Sequence, residues 1–294
     1  MKILITGLNG FIGKSLINFL TEKHQVLSLS RENKENIGYK NIEFIKGDFS
    51  KPNYWEKKVI SFAPDYCIHM AWEGLPDYSF EKCRINLNKN LIFLDFLCKI
   101  GISNIIFTGS CYEYGSHIGS LRENLIPKDP QIFGITKLTI LNYLDIICKT
   151  NNINFKWARI FFSYGPNQRN SSLIPSIWNN LKLNKNNYIK TPYASNDFVY
   201  VDDVANGIME LLDNNAPSGI YNIGSGKLTS VGYIANLIYS YYKKDIPYPN
   251  IATKKLKGFY SDIKKIKKFT SWVPKTSIDN GVINTLRKLD ENYG

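Results

Sequence analysis

Histidine is scarce in this chain: His24, His69 and His117 are all there is among 294 residues. Cysteine is little commoner, with five residues (Cys67, Cys83, Cys98, Cys111 and Cys148), and no two of them form a CxxC. No histidine stands beside a cysteine at ligand spacing, so no structural metal is expected. An odd, scattered cysteine set argues against a disulfide framework and for small buried hydrophobes in a reducing compartment, the cytoplasm. No run approaches ~20 uninterrupted apolar residues, so no membrane span is predicted. The apolar start Met1–Gly7 is too short for a signal segment and runs straight into glycines, so it reads as a buried first strand. Internal repeats and low-complexity tracts are missing as well.

What is present suits a large core. The chain is 44% hydrophobic and 14% aromatic, enough for one large domain or one and a half. The net charge is +12. The lysines are spread along the chain except for a run from Lys254 to Lys268, a pattern that does not point to nucleic acid. A basic surface attracts phosphorylated small molecules instead.

The first half alternates strands and helices. Strands are predicted at Lys2–Thr6, Gln25–Ser30, Ile42–Lys46, Asp65–Met70, Asn104–Thr108 and Phe155–Phe161. Helices are predicted at Phe11–Lys23, Ser79–Ile100 and Phe133–Lys149, the second with Leu87, Leu91, Leu94 and Leu97 on one side. Strands separated by helix-length segments imply an α/β fold, a parallel sheet wound on both faces. After about Gly165 the pattern turns to short strands and Asn/Pro/Gly loops. The division expected is a dinucleotide-binding domain over 1–165 and a mainly substrate-binding region over 166–294, with the chain crossing back to the sheet.

Gly7-Leu8-Asn9-Gly10-Phe11-Ile12-Gly13 follows a predicted strand and opens a predicted helix, the setting a dinucleotide fingerprint requires. Gly7 allows the tight turn, Gly10 the approach of the pyrophosphate and Gly13 close helix–strand packing. The end of the second strand selects the nicotinamide. An acid there would hold the ribose 2′-hydroxyl, but this chain has Ser30-Arg31, a hydroxyl and a guanidinium suited to a 2′-phosphate. NADP(H) is therefore expected over NAD(H). Arg31 stacked on the adenine or turned to solvent is the plainer alternative.

Thr6 through Gly13 resembles the extended short-chain dehydrogenase/reductase family: nucleotide-sugar epimerases, dehydratases and reductases on a Rossmann-type sheet. Further segments continue the resemblance in order. Gly47-Asp48-Phe49 looks like the adenine-contacting segment, and His69-Met70-Ala71, running on into Trp72, like the loop beside the cofactor. Asn86 matches an asparagine of the next helix. Ser110 through Tyr114-Gly115, Arg159 through Tyr164-Gly165-Pro166, Asp197 through Val204, Tyr221 through Gly226 and Ser271-Trp272-Val273-Pro274 complete it. The resemblance implies that Asn9, Phe11, Ile12, Asp48, Phe49, Met70, Ala71, Trp72 and Asn86 join the glycines, Ser30 and Arg31 in holding the cofactor. It implies that Ser110 hydrogen-bonds the reacting sugar oxygen, and that Lys137 binds the nicotinamide ribose and lowers the pKa of a neighbouring phenol. The substrate, a nucleotide-diphosphate sugar, is expected at Ser110, Cys111, Tyr112, Phe162, Ser163 and the loop Asn167–Leu173, including Ser172 and Leu173, with Arg169 for the diphosphate. The two long helices resemble the pair that forms a homodimer interface in this family.

One position departs from the pattern. The family keeps a tyrosine four residues before the lysine, and this chain has Phe133. The missing phenol is a general acid worth ~10²–10⁴-fold. Three accounts stand open: a tyrosine replaced experimentally, another donor (Tyr112, Cys111 or His117), or a cofactor-binding module without catalysis. The family's 4,6-dehydratases carry Asp-Glu directly after the active-site hydroxyl, where this chain has Cys111-Tyr112, with Glu113 one place late. A 4-epimerase retains NAD(H), which Ser30-Arg31 disfavours. Reduction of a nucleotide-linked 4-keto-6-deoxy sugar by NADPH fits best.

Overall fold

The computed structural model describes residues 1–20, 23–31, 40–185, 189–212, 216–251 and 255–293. Residues 21–22 of the helix expected over Phe11–Lys23, and Lys254 at the head of the lysine run, lie outside them. In chain order the elements begin β1 (Lys2–Thr6), α1 (Phe11–Leu16), β2 (Gln25–Ser30), β3 (Ile42–Lys46), α2 (Glu56–Phe62), β4 (Tyr66–His69), α3 (Phe80–Lys99) and β5 (Asn104–Ser110). Next come β6 (Gly119–Leu121), α4 (Ile132–Asn151), β7 (Asn154–Ile160), β8 (Phe162–Tyr164), α5 (Leu173–Lys182), β9 (Ala194–Asn196), β10 (Phe198–Tyr200) and α6 (Val201–Glu210). The chain closes with β11 (Gly219–Ile223), β12 (Thr229–Ser230), α7 (Val231–Tyr241), β13 (Lys257–Ser261), α8 (Lys264–Thr270) and α9 (Ile278–Glu291).

Chain contacts define two compact units. The first comprises Met1–Ser116, Ile126–Arg159 and Ile208–Tyr221. Its sheet has seven strands in the order β11-β7-β5-β4-β1-β2-β3. The ladders joining β3, β2, β1, β4 and β5 are all parallel, with Lys2 opposite Gln25 and Ile3 opposite Tyr66. The central strands are buried almost throughout, as expected where helices cover both faces. The strand order reverses beside β1, which opens a crevice at the carboxyl ends of β1 and β4. Leu4, Phe93, Leu97, Phe107, Leu144 and Trp157 belong to the core, with Phe107 and Trp157 stacked 4.6 Å apart.

Two helices differ from their sequence patterns. The segment from Phe11 is α-helical only to Leu16 and tightens into a 3₁₀ turn at Ile17–Phe19, a common way for a helix to end. On α3 the buried stripe runs through Cys83, Asn86, Asn90, Phe93 and Leu97, and Leu87 and Leu91 lie at its shoulder. Asn86 and Asn90 face inward because a hydrogen-bond network there satisfies them.

The second unit comprises His117–Leu125, Ile160–Gly207 and Asn222–Gly294. It holds a two-stranded sheet, β10-β8, a four-stranded sheet, β12-β9-β13-β6, and a core from α5, α7 and α9 that includes Ile177, Ile238 and Leu286. Its sequence signatures turn out to be braces. The buried Asp197 carboxylate accepts bonds from Ser225 N (2.6 Å), Gly226 N (3.0 Å) and Ser261 N (2.9 Å). Asp203 accepts from Lys275 N and Thr276 N at 3.0 and 2.9 Å, and its carbonyl accepts from the Trp272 indole at 3.1 Å.

Candidate active site

The turn after β1 leaves no room for side chains. Gly7 has φ +80°, and a Cβ there would lie 2.8 Å from Ala71 N; one on Gly13 would lie 2.3 Å from Gly7 O and 2.4 Å from Leu8 O. Gly10 N donates to Gly7 O at 2.9 Å. No side chain caps the start of α1 at Gly10, Phe11 and Ile12, so its first amides remain for an anion. Asn9 Nδ2 donates to Ser30 Oγ at 2.8 Å and ties this turn to the end of β2. This cradle, which admits no side chain at Gly7 or Gly13, fits a dinucleotide pyrophosphate.

Arg31 continues β2 and is 61% exposed, with Nη1 3.2 Å from Glu73 Oε2. The same carboxylate takes Lys89 Nζ at 2.7 Å, and Lys89 reaches Asp48 Oδ2 at 2.8 Å. Cations and anions thus alternate along Arg31–Glu73–Lys89–Asp48. Lys89 holds Glu73 below the usual carboxylate range. Burial opposes the Lys89 charge, but its two carboxylates outweigh it and hold the ammonium above its ordinary value. Asp48 is fully engaged, since Oδ1 also takes Ser50 N and Oγ at 3.0 and 2.8 Å. Phe49 packs edge-on to His69 with ring centroids 5.0 Å apart. Glu73 and Lys89 were not among the residues singled out from sequence: no motif marks them, and only the fold brings them to Arg31.

The loop after β4, starting Met70-Ala71-Trp72-Glu73, is fixed from below. Asn86 Nδ2 donates to the carbonyls of Glu73 (2.9 Å) and Lys82 (2.8 Å), and its Oδ1 accepts from Glu73 N at 2.8 Å. The Asn86 amide is therefore spent on positioning this loop. Asn90 Nδ2 donates to Asn86 O at 2.7 Å, which leaves its Oδ1 to accept from His69 Nε2 at 2.8 Å; His69 Nδ1 then accepts from Thr6 Oγ1 at 2.7 Å. The Asn90 bond places a proton on Nε2, and a neutral ring then accepts from Thr6 at Nδ1. Burial drives the His69 pKa down to about 3, partly opposed by Asn90 and aided by the Lys137 charge.

At the end of β5, Ser110 N donates to Glu113 Oε1 at 2.7 Å, and Ser110 Oγ accepts from Tyr112 N at 3.3 Å. The Ser110 hydroxyl proton remains to donate elsewhere. Glu113 is wholly buried, with Arg159 Nε at 2.5 Å and Trp157 Nε1 at 3.0 Å from its oxygens. Its carboxylate is consumed by the scaffold, so it supplies no base for dehydration. Cys111 is buried and Tyr112 exposed on the turn that follows.

Phe133 and Lys137 share a face of α4, one turn apart. A Cβ on Gly134 would meet Tyr112 O at 2.4 Å, so this glycine lets α4 press against the Tyr112 turn. Lys137 is buried; Nζ donates to Thr108 O at 2.9 Å and lies 4.2 Å from the Trp72 ring centroid. Desolvation lowers its pKa to about 8, opposed by Glu113. The Phe133 ring is enclosed by Tyr78 at 4.8 Å, Trp72 at 5.2 Å and Tyr112 at 5.9 Å. Trp72 Nε1 is buried and has no hydrogen-bond partner among the described residues. Tyr78 was not singled out from sequence either.

The remaining expected substrate residues lie in the second unit. Phe162 packs on Phe198 and Phe259 at 5.9 and 5.8 Å. Ser163 Oγ and Gln168 Oε1 are buried without partners among the described residues, while Gln168 Nε2 donates to Ser163 O at 3.0 Å. Buried orphan polar atoms of this kind call for a ligand or water. Asn167 adopts φ +67° and turns the loop. Arg169 is exposed with no carboxylate partner among the described residues; its carbonyl accepts from Ser172 N at 2.9 Å, and Ser172 and Leu173 begin α5. His117 also lies in this unit.

The wound sheet and the side-chain-free turn at its first strand define a Rossmann-type protein that holds a nicotinamide dinucleotide. The chain belongs to the NAD dependent epimerase/dehydratase family, whose model matches residues 3–224, within the extended short-chain dehydrogenase/reductases that act on nucleotide sugars. It is 29% identical to dTDP-6-deoxy-L-talose 4-dehydrogenase (NAD(+)) of Aggregatibacter actinomycetemcomitans, over 79% of this chain and 87% of that protein. It is 26% identical to dTDP-4-dehydro-6-deoxyglucose reductase of Escherichia coli, over 98% and 97%. UDP-glucose 4-epimerase of Thermotoga maritima, solved with UDP-glucose, shares the fold with a TM-score of 0.86 at 21% identity over the whole of both chains. UDP-glucuronic acid 4-epimerase of Bacillus cereus, solved with UDP-glucuronic acid and NAD, does so with 0.86 at 22% identity, also over the whole of both.

Proposed function

We propose that the protein reduces the 4-keto group of a nucleotide-linked 6-deoxy sugar with NADPH. The observation that carries this reading is the buried, desolvated Lys137 on the face of Phe133, together with a Ser110 hydroxyl free to donate and a Glu113 carboxylate locked into the scaffold. That set serves a carbonyl and its alcohol and lacks the carboxylate pair a dehydration needs. Two relatives support it, since their names place their chemistry at C4 of dTDP-linked 6-deoxyhexoses. When bound, the reduced nicotinamide supplies the hydride. The glycine turn and the first amides of α1 hold the pyrophosphate. Ser110 orients the carbonyl oxygen, and Lys137 holds the ribose and places positive charge where the oxygen gains negative charge.

Ser30 and Arg31 support NADPH, because the exposed Arg31–Glu73 pair is worth only ~0–1 kcal/mol and yields readily to a phosphate dianion. One observation favours NADH: Glu73 is a carboxylate at the same place, able to accept from a ribose hydroxyl. We infer further that residues 1–165 carry the cofactor and 166–294 mainly the sugar nucleotide, with Arg169 on the diphosphate. We also infer that α3 and α4 form a homodimer interface, and that five free cysteines suit the cytoplasm. The test is oxidation of NADPH and NADH with a panel of nucleotide-linked 4-keto-6-deoxy sugars, for the chain as it stands and for Phe133→Tyr. Turnover of the panel by at least one of the two supports the reading; none by either refutes it. Equal affinity for the two cofactors would overturn the Arg31 argument.

A further inference from the structure

We propose that Tyr78 is the proton donor of this site, replacing the phenol that Phe133 lacks. The inference rests on the ketoreductase reading above. Of the three rings around Phe133, that of Tyr78 is the nearest, 4.8 Å between centroids at an interplanar angle of 53°. Its ring therefore packs directly against the ring that a tyrosine at 133 would carry.

The loop that carries Tyr78 is held on both sides. Before it, Asn86 grips Glu73 by both N–H and C=O, and Asp77 N closes a turn on Gly74 O at 2.8 Å. After it, Ser79 N donates to Asp77 Oδ1 at 2.8 Å and Ser79 caps α3. The Tyr78 carbonyl itself accepts from Cys83 Sγ at 3.7 Å. Tyr78 as a residue is 38% exposed, so the loop is open to water for proton exchange.

The other groups are poorer donors. Tyr112 is farther from Phe133, at 5.9 Å. The Trp72 indole N–H donates a hydrogen bond but not a proton.

The step balances. As hydride joins the carbonyl carbon, the π pair of the C=O bond ends on oxygen. That oxygen forms an O–H bond with the Tyr78 proton, the phenolic O–H bond breaks, and the phenolate regains a proton from water.

The experiment measures kcat and KM for NADPH-driven reduction of a nucleotide-linked 4-keto-6-deoxy sugar by five proteins: the unaltered chain, Tyr78→Phe, Tyr112→Phe, Phe133→Tyr and the double variant Tyr78→Phe/Phe133→Tyr. Calorimetry with NADP⁺ and the sugar-nucleotide product reads binding apart from turnover. The expected result is turnover by the unaltered chain, a kcat lower by ~10²-fold or more in Tyr78→Phe, unchanged product binding, and recovery of kcat in the double variant. Unchanged kcat in Tyr78→Phe overturns the proposal, as does a kcat loss matched by lost product binding. A loss confined to Tyr112→Phe assigns the donor to Tyr112 instead. Turnover by Phe133→Tyr alone leaves the ketoreductase reading standing and removes Tyr78. No turnover by any of the five removes both.

Discussion

The Lys137 ammonium is buried on α4 with a backbone carbonyl and two ring faces around it, and it forms no ion pair among the described residues. A charge buried without a carboxylate partner costs stability. Lys137→Met should therefore stabilise the protein at pH 7 by ~1–2 kcal/mol, after the lost cation–π contact is allowed for, while abolishing turnover. Its folded-state pKa is lowered from 10.5 to about 8. Between these values the unfolded chain binds more protons, so the unaltered protein gains stability as pH rises and the advantage of the variant shrinks, vanishing above 10.5. Urea midpoints from pH 7 to 11 check this. The Glu73 carboxylate gives a second expectation. Glu73→Gln frees Arg31 and should tighten NADPH relative to NADH by ~two- to fivefold, the worth of an exposed pair. Fluorescence titration with both cofactors measures it, and a shift toward NADH means that Arg31 does not read the 2′-phosphate. At this scale the sequence named Ser110, Phe133 and Lys137 because fixed spacings mark them. It could not name Glu73, Lys89 or Tyr78, whose partners are distant in the chain.

Among the elements, α3 departs most from its pattern. Its inward face carries Asn86 and Asn90 beside Phe93 and Leu97, and a polar/apolar reading places asparagines outside. They are buried because His69, the β4 loop and each other supply every bond they need. Asn90→Ala leaves His69 Nε2–H unpaired, a cost of ~1–3 kcal/mol at most, read as a lower urea midpoint. The neutral His69 also sets an acid limit. Its pKa falls from 6.5 to about 3 on folding, so the unfolded chain binds more protons in that window. Its contribution is whole above pH 6.5 and is lost as pH falls toward 3. His69→Gln should flatten the decline of the unfolding midpoint between these limits. The glycine turn, by contrast, was legible in full, since the demand for Gly7 and Gly13 is local.

For the whole molecule, the outer faces of α3 and α4 leave Ile92, Ile135 and Ile146 exposed, at 45%, 46% and 64%. If these helices form the proposed dimer, Ile146→Glu should convert it to a monomer, read by sedimentation equilibrium, with the fold unchanged by circular dichroism. A net charge of +12 further predicts that kcat/KM for an anionic sugar nucleotide falls as ionic strength rises, through KM.

The sequence by itself determined the wound sheet, the dinucleotide turn and the candidate positions Ser110 and Lys137, because alternating apolar periodicity and short fixed spacings are local properties of the chain. Tertiary structure decided the rest. It consumed Glu113 in a buried pair with Arg159, bonded Asn86 to the β4 loop, joined Arg31 to Glu73 and Lys89, and set Tyr78 beside Phe133. Each of these is a contact between distant segments, and burial, which fixes whether a charge or phenol is spent or available, exists only once those segments have met.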